Sequence, residues 1–309
     1  MSLSASTAAA EKLSKTKLDG LRGDVDARLD ELFREDRGPA RLMCAIRHGL
    51  LSPGKRLRPL ITLLACEQIG GDPRRAIDAA CAVEMVHAAS LIIDDLPAMD
   101  NARLRRGCLA NHVVFGEGSS ILAAISLLNE AYRCLASIEG MPDARRTRAV
   151  ASLTAAVGVD GLAGGQERDI ACGYATSPTQ TLADMERRHT EKTGALFIAA
   201  AEIGAEVAEA DAAALAAMRD FGSALGLAYQ TFDDVLDCSA TPDEAGKDTG
   251  QDEGKSTVVS ILGRDGARQA GARWLGRAVD AAESAAPNGA APLADLARLI
   301  GAKFCVAPA

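Results

Sequence analysis

Two segments of this 309-residue chain concentrate acids where they could act together: LIIDDLPAMD (91–100) and FDDVLD (232–237). Each is an apolar run that ends in paired aspartates followed by a third. Asp233 and Asp237 are four positions apart, so on a helix they lie roughly 40° from one another on one face. Asp234 projects elsewhere. Two carboxylates one turn apart repel, and in a partly buried cleft they need a cation. Asp94 and Asp100 are six apart and would diverge by roughly 120° on a straight helix. Pro97 lies between them, lacks a backbone donor and clashes with the carbonyl of Ile93. The helix is expected to distort there and swing Asp100 back toward Asp94. Oxygen-only clusters suit Mg²⁺, which keeps waters and shares its shell with substrate phosphates. Either cluster alone reads better as a solvated helix end; two of them, each closing an apolar helix, point to a metal site.

Bases accompany the acids. GKRLRP (54–59) packs Lys55, Arg56 and Arg58 into a turn leading a helix, and backbone donors at a helix N-terminus with flanking cations favour phosphate. Arg105 and Arg106 follow Asp100 closely. His87 is seven residues before Asp94, two turns down the same face, where a core role and a ligand role are about evenly balanced. Lys192 and Thr193 sit beside Gly194, which permits close backbone approach. Tyr229 and Gln230 precede Asp233 by about a turn. Lys247 and Lys255 fall in CSATPDEAGKDTGQDEGKST (238–257), a long polar loop of the kind that is often functional. Acids for a cation, bases for phosphate and apolar helix walls together describe a site for a diphosphate on a hydrocarbon tail.

The elements that position these residues are helices. Apolar residues make up 48% of the chain and aromatics only 3%, a composition that favours closely packed helices over strands. The fold class is therefore read as all-α. Helices are predicted at 41–51, stopped by SPG, and at 57–70, closed by Gly70-Gly71. Pro73 opens the next helix, which runs through to the first aspartate pair. Further helices are expected at 119–137, 142–157, 159–172, 179–203, 210–236, 256–263, 266–284 and 292–301. No composition shift marks a boundary, so one domain over 1–309 is expected, with 1–16 as a flexible tail. The net charge of −8 argues against a general nucleic-acid surface. The eight scattered cysteines fit reduced thiols in a cytoplasmic protein. No run of about eighteen uncharged apolar residues is present, so no membrane span is expected.

GKRLRP, HAASLIIDDLPAMD with LRRG, GGQERDI (164–170), KTG (192–194), YQTFDDVLD and GKDTGQDEGKSTVVSILG together resemble the trans-isoprenyl diphosphate synthases, most closely the geranylgeranyl diphosphate synthases of carotenoid-forming bacteria. The resemblance runs from about Arg41 to Leu262. It implies long antiparallel helices around a deep central cavity, as a homodimer. It implies three Mg²⁺ ions, with Mn²⁺ as a substitute: Asp94 and Asp100, supported by Asp95, for two, and Asp233 with Asp234 and Asp237 for the third. Lys55, Arg58, His87 and Arg106 match the isopentenyl diphosphate subsite. Arg105, Lys192, Thr193, Gln230, Lys247 and Lys255 match the contacts of the allylic diphosphate (dimethylallyl, geranyl or farnesyl). Asp94, Asp100, Arg105, Lys192, Asp233 and Lys247 would carry the ionisation step. Cys108-Leu109-Ala110 and Asn101 depart from the family pattern without touching the expected metal ligands.

The tail of the growing product should run down the helix from Asp94. The family stops at fifteen carbons by placing a large aromatic five residues before the first aspartate, and Ala89 stands there. Ser90 lies one turn below Asp94, and Met85 and Val86 a turn further down, so these four are the expected chain-length residues and a twenty-carbon product is predicted. A farnesyl diphosphate synthase is the nearest alternative. A class I terpene cyclase needs no second diphosphate subsite, and a non-catalytic subunit typically loses an aspartate motif; both motifs are intact.

Overall fold

The computed structural model describes residues 13–174, 181–237 and 257–305. The chain enters through α1 (Lys15–Leu32), whose N-cap Ser14 accepts from Lys17 N at 3.1 Å. α1 thus starts inside the span expected as a tail. It was not foreseen, because it is mostly polar and its buried contacts reduce to Val25, Leu29 and Leu32. α2 (Ala40–Leu50) and α3 (Leu57–Ile69) follow, the latter closed by Gly70 in the left-handed region at φ +100°. α4 (Ile77–Asp94) is the central helix, buried along most of its length.

After α4 the chain makes a two-stranded antiparallel hairpin, β1 (Leu104–Arg105) with β2 (Cys108–Leu109). α5 spans Asn111–Ala136, broken at Gly116 (φ +77°), which is why its regular pattern shows in the sequence only beyond that point. α6 (Asp143–Val157) and α7 (Leu162–Tyr174) lead to α8 (Leu182–His189), a π-helical turn (Thr190–Gly194) and α9 (Ala195–Val207). The single helix expected over 179–203 is therefore three segments. α10 (Ala212–Asp237) ends in the second aspartate motif. α11 (Val258–Ser284) is interrupted at Gly263 (φ +69°), where the sequence placed a break between two helices, and α12 (Pro292–Cys305) closes the described chain.

The all-α expectation holds, with the short hairpin as the one sheet among the described residues. α9 packs between α3, α6 and α10, α4 lies against α5, and α10 runs along α11. One apolar cluster joins these helices from Leu13 to Ile300, and a smaller one of Met185, Val235, Val258 and Ala267 lies beneath the second aspartate motif. Burying a side chain of the size of Leu127 or Phe221, both fully buried, stabilises the fold by roughly 1.5–3 kcal/mol. Alanines at the contacts let the helix axes approach, so the bundle needs few large residues.

Pro73–Asp94 and Asn111–Ala136 are each long and apolar enough to cross a membrane by length and composition, which the sequence reading did not anticipate. The first is a core helix, with 67% of its apolar window buried in the protein. The second has only 28% of its window buried and shows Ile121, Leu122 and Ile125 to solvent on one face.

Candidate active site

The two aspartate motifs close α4 and α10, and the structure shows how the first is shaped. α4 stops at Asp94. Pro97 then lies past the helix end in a turn, so the expected kink inside the helix is not what forms. The residue before a proline avoids the helical region, and the chain folds back on itself instead. Asp100 N–H donates to the Asp94 carbonyl at 2.9 Å, and Asn101, at φ +49°, donates to the Leu96 carbonyl at 3.0 Å. Asp100 is thus returned to Asp94 as expected, by a backbone hydrogen bond.

Asp95 is buried and receives Arg105 Nε at 2.8 Å on Oδ1. In this geometry it anchors an arginine and points away from a role as open metal ligand. Burial raises its carboxyl, opposed by Arg105. Asp94 is different. Burial pushes its carboxyl up to about 6; Lys192 lowers it, Asp100 raises it, Arg105 lowers it and Asp95 raises it again. The local cations do not compensate the charge, which is the condition a bound cation would relieve.

That imbalance gives a test on the metal-free protein. In the unfolded chain Asp94 titrates near the ordinary carboxylate value of about 3.9, so between about 4 and about 6 the native state holds the extra proton. The contribution of Asp94 to stability therefore falls as pH rises through that window. After discounting solvent screening, the cost at pH 7 is on the order of 2 kcal/mol. Urea melts of wild type and Asp94→Asn should give equal stabilities near pH 4 and a more stable variant at pH 7. A difference that does not grow with pH would contradict the burial of this charge.

The hairpin after the motif divides its two arginines. Arg106 and Gly107 form the two-residue connection, both with positive φ (+55° and +77°), the geometry that matches hairpin twist and that glycine tolerates best. Arg105, on the strand, reaches Asp95. Arg106, in the turn, reaches the other way, to Ser52 Oγ at 3.4 Å and toward Glu84 at 3.8 Å. Neighbouring residues thereby serve two different places.

On the Arg106 side, Arg58 Nη1 donates to His87 Nε2 at 3.3 Å and stacks over Phe197 at 4.6 Å from the ring centre. His87 is held well below its usual range by burial and by the charges of Arg58, Arg106, Arg56 and Arg105. The ring is neutral, with its lone pair on the nitrogen that faces Arg58. Lys55 lies 5.9 Å over the ring of Tyr229. Arg58 and Arg106 are thus brought together by His87, with Lys55 over Tyr229 nearby in the chain. Arg58 Nε is buried without a partner. Arg56 is drawn into the protein, bound to Asp26 at 2.7 Å and Glu84 at 2.8 Å.

The π-helical turn divides two residues in the same way. Lys192 Nζ donates to Asp169 Oδ2 at 2.6 Å. Burial opposes its charge, but Asp169, Asp94 and Asp100 together hold the ammonium above its ordinary value. Thr193 donates to Gln230 Oε1 at 3.0 Å, and Gln230 Nε2 donates to Asp234 at 3.1 Å. The turn therefore joins α7 to α10 and places the Lys192 charge where Asp94 and Asp100 feel it. Gly165 makes this possible: a Cβ there would stand 2.5 Å from Lys192 N, so α7 can lie directly on the turn. Single π turns of this kind recur at functional sites.

Asp234 is buried, accepts from Val258 N at 3.1 Å and lies 3.9 Å from His189 Nε2. It thereby satisfies a first-turn N–H of α11, whose N-cap is Thr257. Asp233 is half-buried on α10. The side chain of Asp237, and Lys247 and Lys255 altogether, lie outside the described residues. Among the described residues no three acidic, His or Cys side chains converge on one point. Mg²⁺ asks for less, since one or two carboxylates with waters and substrate phosphates suffice. Asp94 and Asp100, tied together by their backbone hydrogen bond, carry the oxygen donors that such a shell uses, and the place of Asp233 in it rests on the resemblance.

Of the expected chain-length residues, Ser90 is partly open and donates to the His87 carbonyl at 2.9 Å. Met85, Val86 and Ala89 are packed into the core. Two site residues were not singled out in the sequence. Asp169 holds Lys192, and Gln166, three residues earlier on the same face, has both amide atoms buried and unpartnered. The polar pair at that spacing, directly after two glycines, was the available signal.

Fold and site together define an all-α bundle in which Asp94, Asp95 and Asp100 lie with the charges of Arg105 and Lys192, while Arg106 and Arg58 lie by His87. Residues 39–287 match the polyprenyl synthetase family. The chain is 40% identical over 253 residues to the geranylgeranyl diphosphate synthase of Pantoea ananas, covering 81% of this chain and 82% of that one. It is 38% identical over 269 residues to the chloroplastic geranylgeranyl pyrophosphate synthase 9 of Arabidopsis thaliana, covering 86% and 75%. The crystal structure of an FPP/GFPP synthase from Zymomonas mobilis superposes with a TM-score of 0.83 at 31% identity, covering 93% and 98%. The chain belongs to the polyprenyl synthetase family, and its class is that of the trans-prenyltransferases.

Proposed function

We propose that this protein is a short-chain, Mg²⁺-dependent, cytoplasmic prenyltransferase that joins isopentenyl diphosphate head-to-tail to an allylic diphosphate and releases geranylgeranyl diphosphate. The observation that carries this reading is the division of adjacent arginines. Arg105 stands with Asp94, Asp95 and Lys192, while Arg106 stands with Arg58 and His87. Two diphosphates can thus be held on either side of one hairpin.

Arg105 and Lys192 place fixed positive charge where the allylic diphosphate departs, and this charge is preorganised by Asp95 and Asp169. Bound through Asp94, Asp100 and Asp233, Mg²⁺ would supply further charge stabilisation to that leaving group. Lys55, Arg58 and Arg106 hold the second diphosphate, with the neutral His87 offering a hydrogen bond. The apolar walls of α3, α4 and α9 keep water from the allylic cation. The double bond of isopentenyl diphosphate attacks that cation, and the proton lost goes to the released diphosphate. Lys247 and Lys255 are assigned to the leaving diphosphate on the family resemblance alone.

Ser90, with Ala89 beside it and Met85 and Val86 below, is assigned to product length. The exposed apolar face of α5 supports a homodimer, which sedimentation velocity would read directly. The decisive assay is incubation with isopentenyl diphosphate, Mg²⁺ and each of the dimethylallyl, geranyl and farnesyl primers, with products sized by mass spectrometry. Geranylgeranyl diphosphate as the main product is expected; mainly farnesyl diphosphate would favour the alternative, and no condensation with any primer would refute the reading.

A further inference from the structure

The cations on the Arg106 side face one acid that the mechanism above does not use. Glu84 lies on α4, three residues before His87. It is 1% exposed, and its Oε1 accepts from Arg56 Nη1 at 2.8 Å. Arg106 Nη2 stands 3.8 Å from the same oxygen. Arg56 is itself immobile: Nε donates to Asp26 at 2.7 Å, Nη2 donates to the Ser52 carbonyl at 3.1 Å, and its backbone takes a left-handed φ of +47°. Glu84 is therefore fixed from behind by Arg56 and offers its remaining attraction to Arg106. Arg106 has one other polar contact among the described residues, the long hydrogen bond to Ser52 Oγ. Its guanidinium sits on a flexible stem at the tip of a two-residue turn.

Resting on the prenyltransferase reading, we infer that Glu84 is a positioning residue for isopentenyl diphosphate: it holds the Arg106 guanidinium beside the Arg58–His87 pair, so that the second diphosphate meets a preformed set of donors. A buried carboxylate among guanidiniums also has a simpler reading, as a structural counter-charge. The two readings differ in sign and in selectivity. A mere counter-charge weakens the pull of the cluster on phosphate, so its removal would tighten binding or leave it unchanged. A positioning residue, when removed, loosens Arg106 and weakens one substrate alone.

The test is steady-state kinetics on Glu84→Gln, which keeps the shape and removes the charge. KM for isopentenyl diphosphate is expected to rise about two- to tenfold, the range of a modest polar contact. KM for the allylic primer and kcat should stay within about twofold. In an Arg106→Gln background the same change should add nothing, because interacting residues are non-additive. Asp26→Asn, which touches Arg56 but not Arg106, should leave both KM values unchanged. Should Glu84→Gln fail to fold, Ser52→Ala removes the other anchor of Arg106 and should raise KM for isopentenyl diphosphate about two- to threefold. A fall in that KM, an equal change in both KM values, additivity with Arg106→Gln, or no effect of Ser52→Ala would each overturn the inference. Calorimetric binding of isopentenyl diphosphate to wild type and Glu84→Gln separates this from the parent reading: a wild type that binds but does not condense refutes the reaction and leaves the role of Glu84 measurable.

Discussion

Asp94→Asn is expected to lower kcat by about 10²–10³-fold, the size of effect seen when one element of preorganised charge stabilisation is removed. Asp94 is a carboxylate whose charge the protein leaves uncompensated, with its carboxyl raised to about 6 by burial. Its neighbour Asp95 is committed to Arg105, so it cannot take over without releasing that arginine. Raising Mg²⁺ should recover part of the loss if the defect is in metal affinity, because Asp100 remains close by. The measurement is kcat as a function of Mg²⁺ at saturating substrates. Activity within about fivefold of wild type at every Mg²⁺ concentration would show that Asp94 does not hold the ion. The same variant should be more stable than wild type at neutral pH, since the amide carries no charge into the buried site. Lost activity with gained stability is the pattern expected of a site built against its own folding preference.

Ser90→Phe should shorten the product. Ser90 lies one turn below Asp94 and is the one expected length residue that is partly exposed, whereas Ala89 is sealed in the core. A phenyl ring at Ser90 would stand in the path proposed for the tail. At Ala89 an aromatic must first displace packed neighbours, at a cost of typically 1–3 kcal/mol. The ratio of fifteen- to twenty-carbon product is expected to rise by about 10–100-fold in Ser90→Phe, the discrimination that pocket shape commonly provides. Product sizing by mass spectrometry after incubation with the geranyl primer reads it. An unchanged distribution would place the floor of the cavity on another helix.

Much of the fold was legible because helix punctuation is local. Gly70, Pro73 and the break near Gly263 act through the φ angles they permit, and these act alike in any context. α1 escaped notice because its pattern is mostly polar and only its docking makes it a helix worth keeping. The π turn was equally hidden, since it depends on α7 lying against it at Gly165. The hairpin at Leu104–Leu109 was present in the Arg-Gly dipeptide but masked by the helical character of everything around it.

The chemistry of the site was determined by the sequence itself: oxygen donors, cations and apolar helices carry their properties wherever the chain puts them, and their order along it matched one family. Which charge answers which was decided only in three dimensions. Arg56 and Arg58 are two residues apart in one basic motif, yet one is buried against Glu84 and the other stacks on Phe197 beside His87. Asp233 and Asp234 are adjacent, yet one is half-buried on α10 and the other is buried and accepts from Val258 N in the first turn of α11. A side chain's direction follows from the local backbone, but its partner arrives from 24 or 28 residues away. In a low-dielectric interior it is that partner that separates a structural ion pair from a charge left available for substrate.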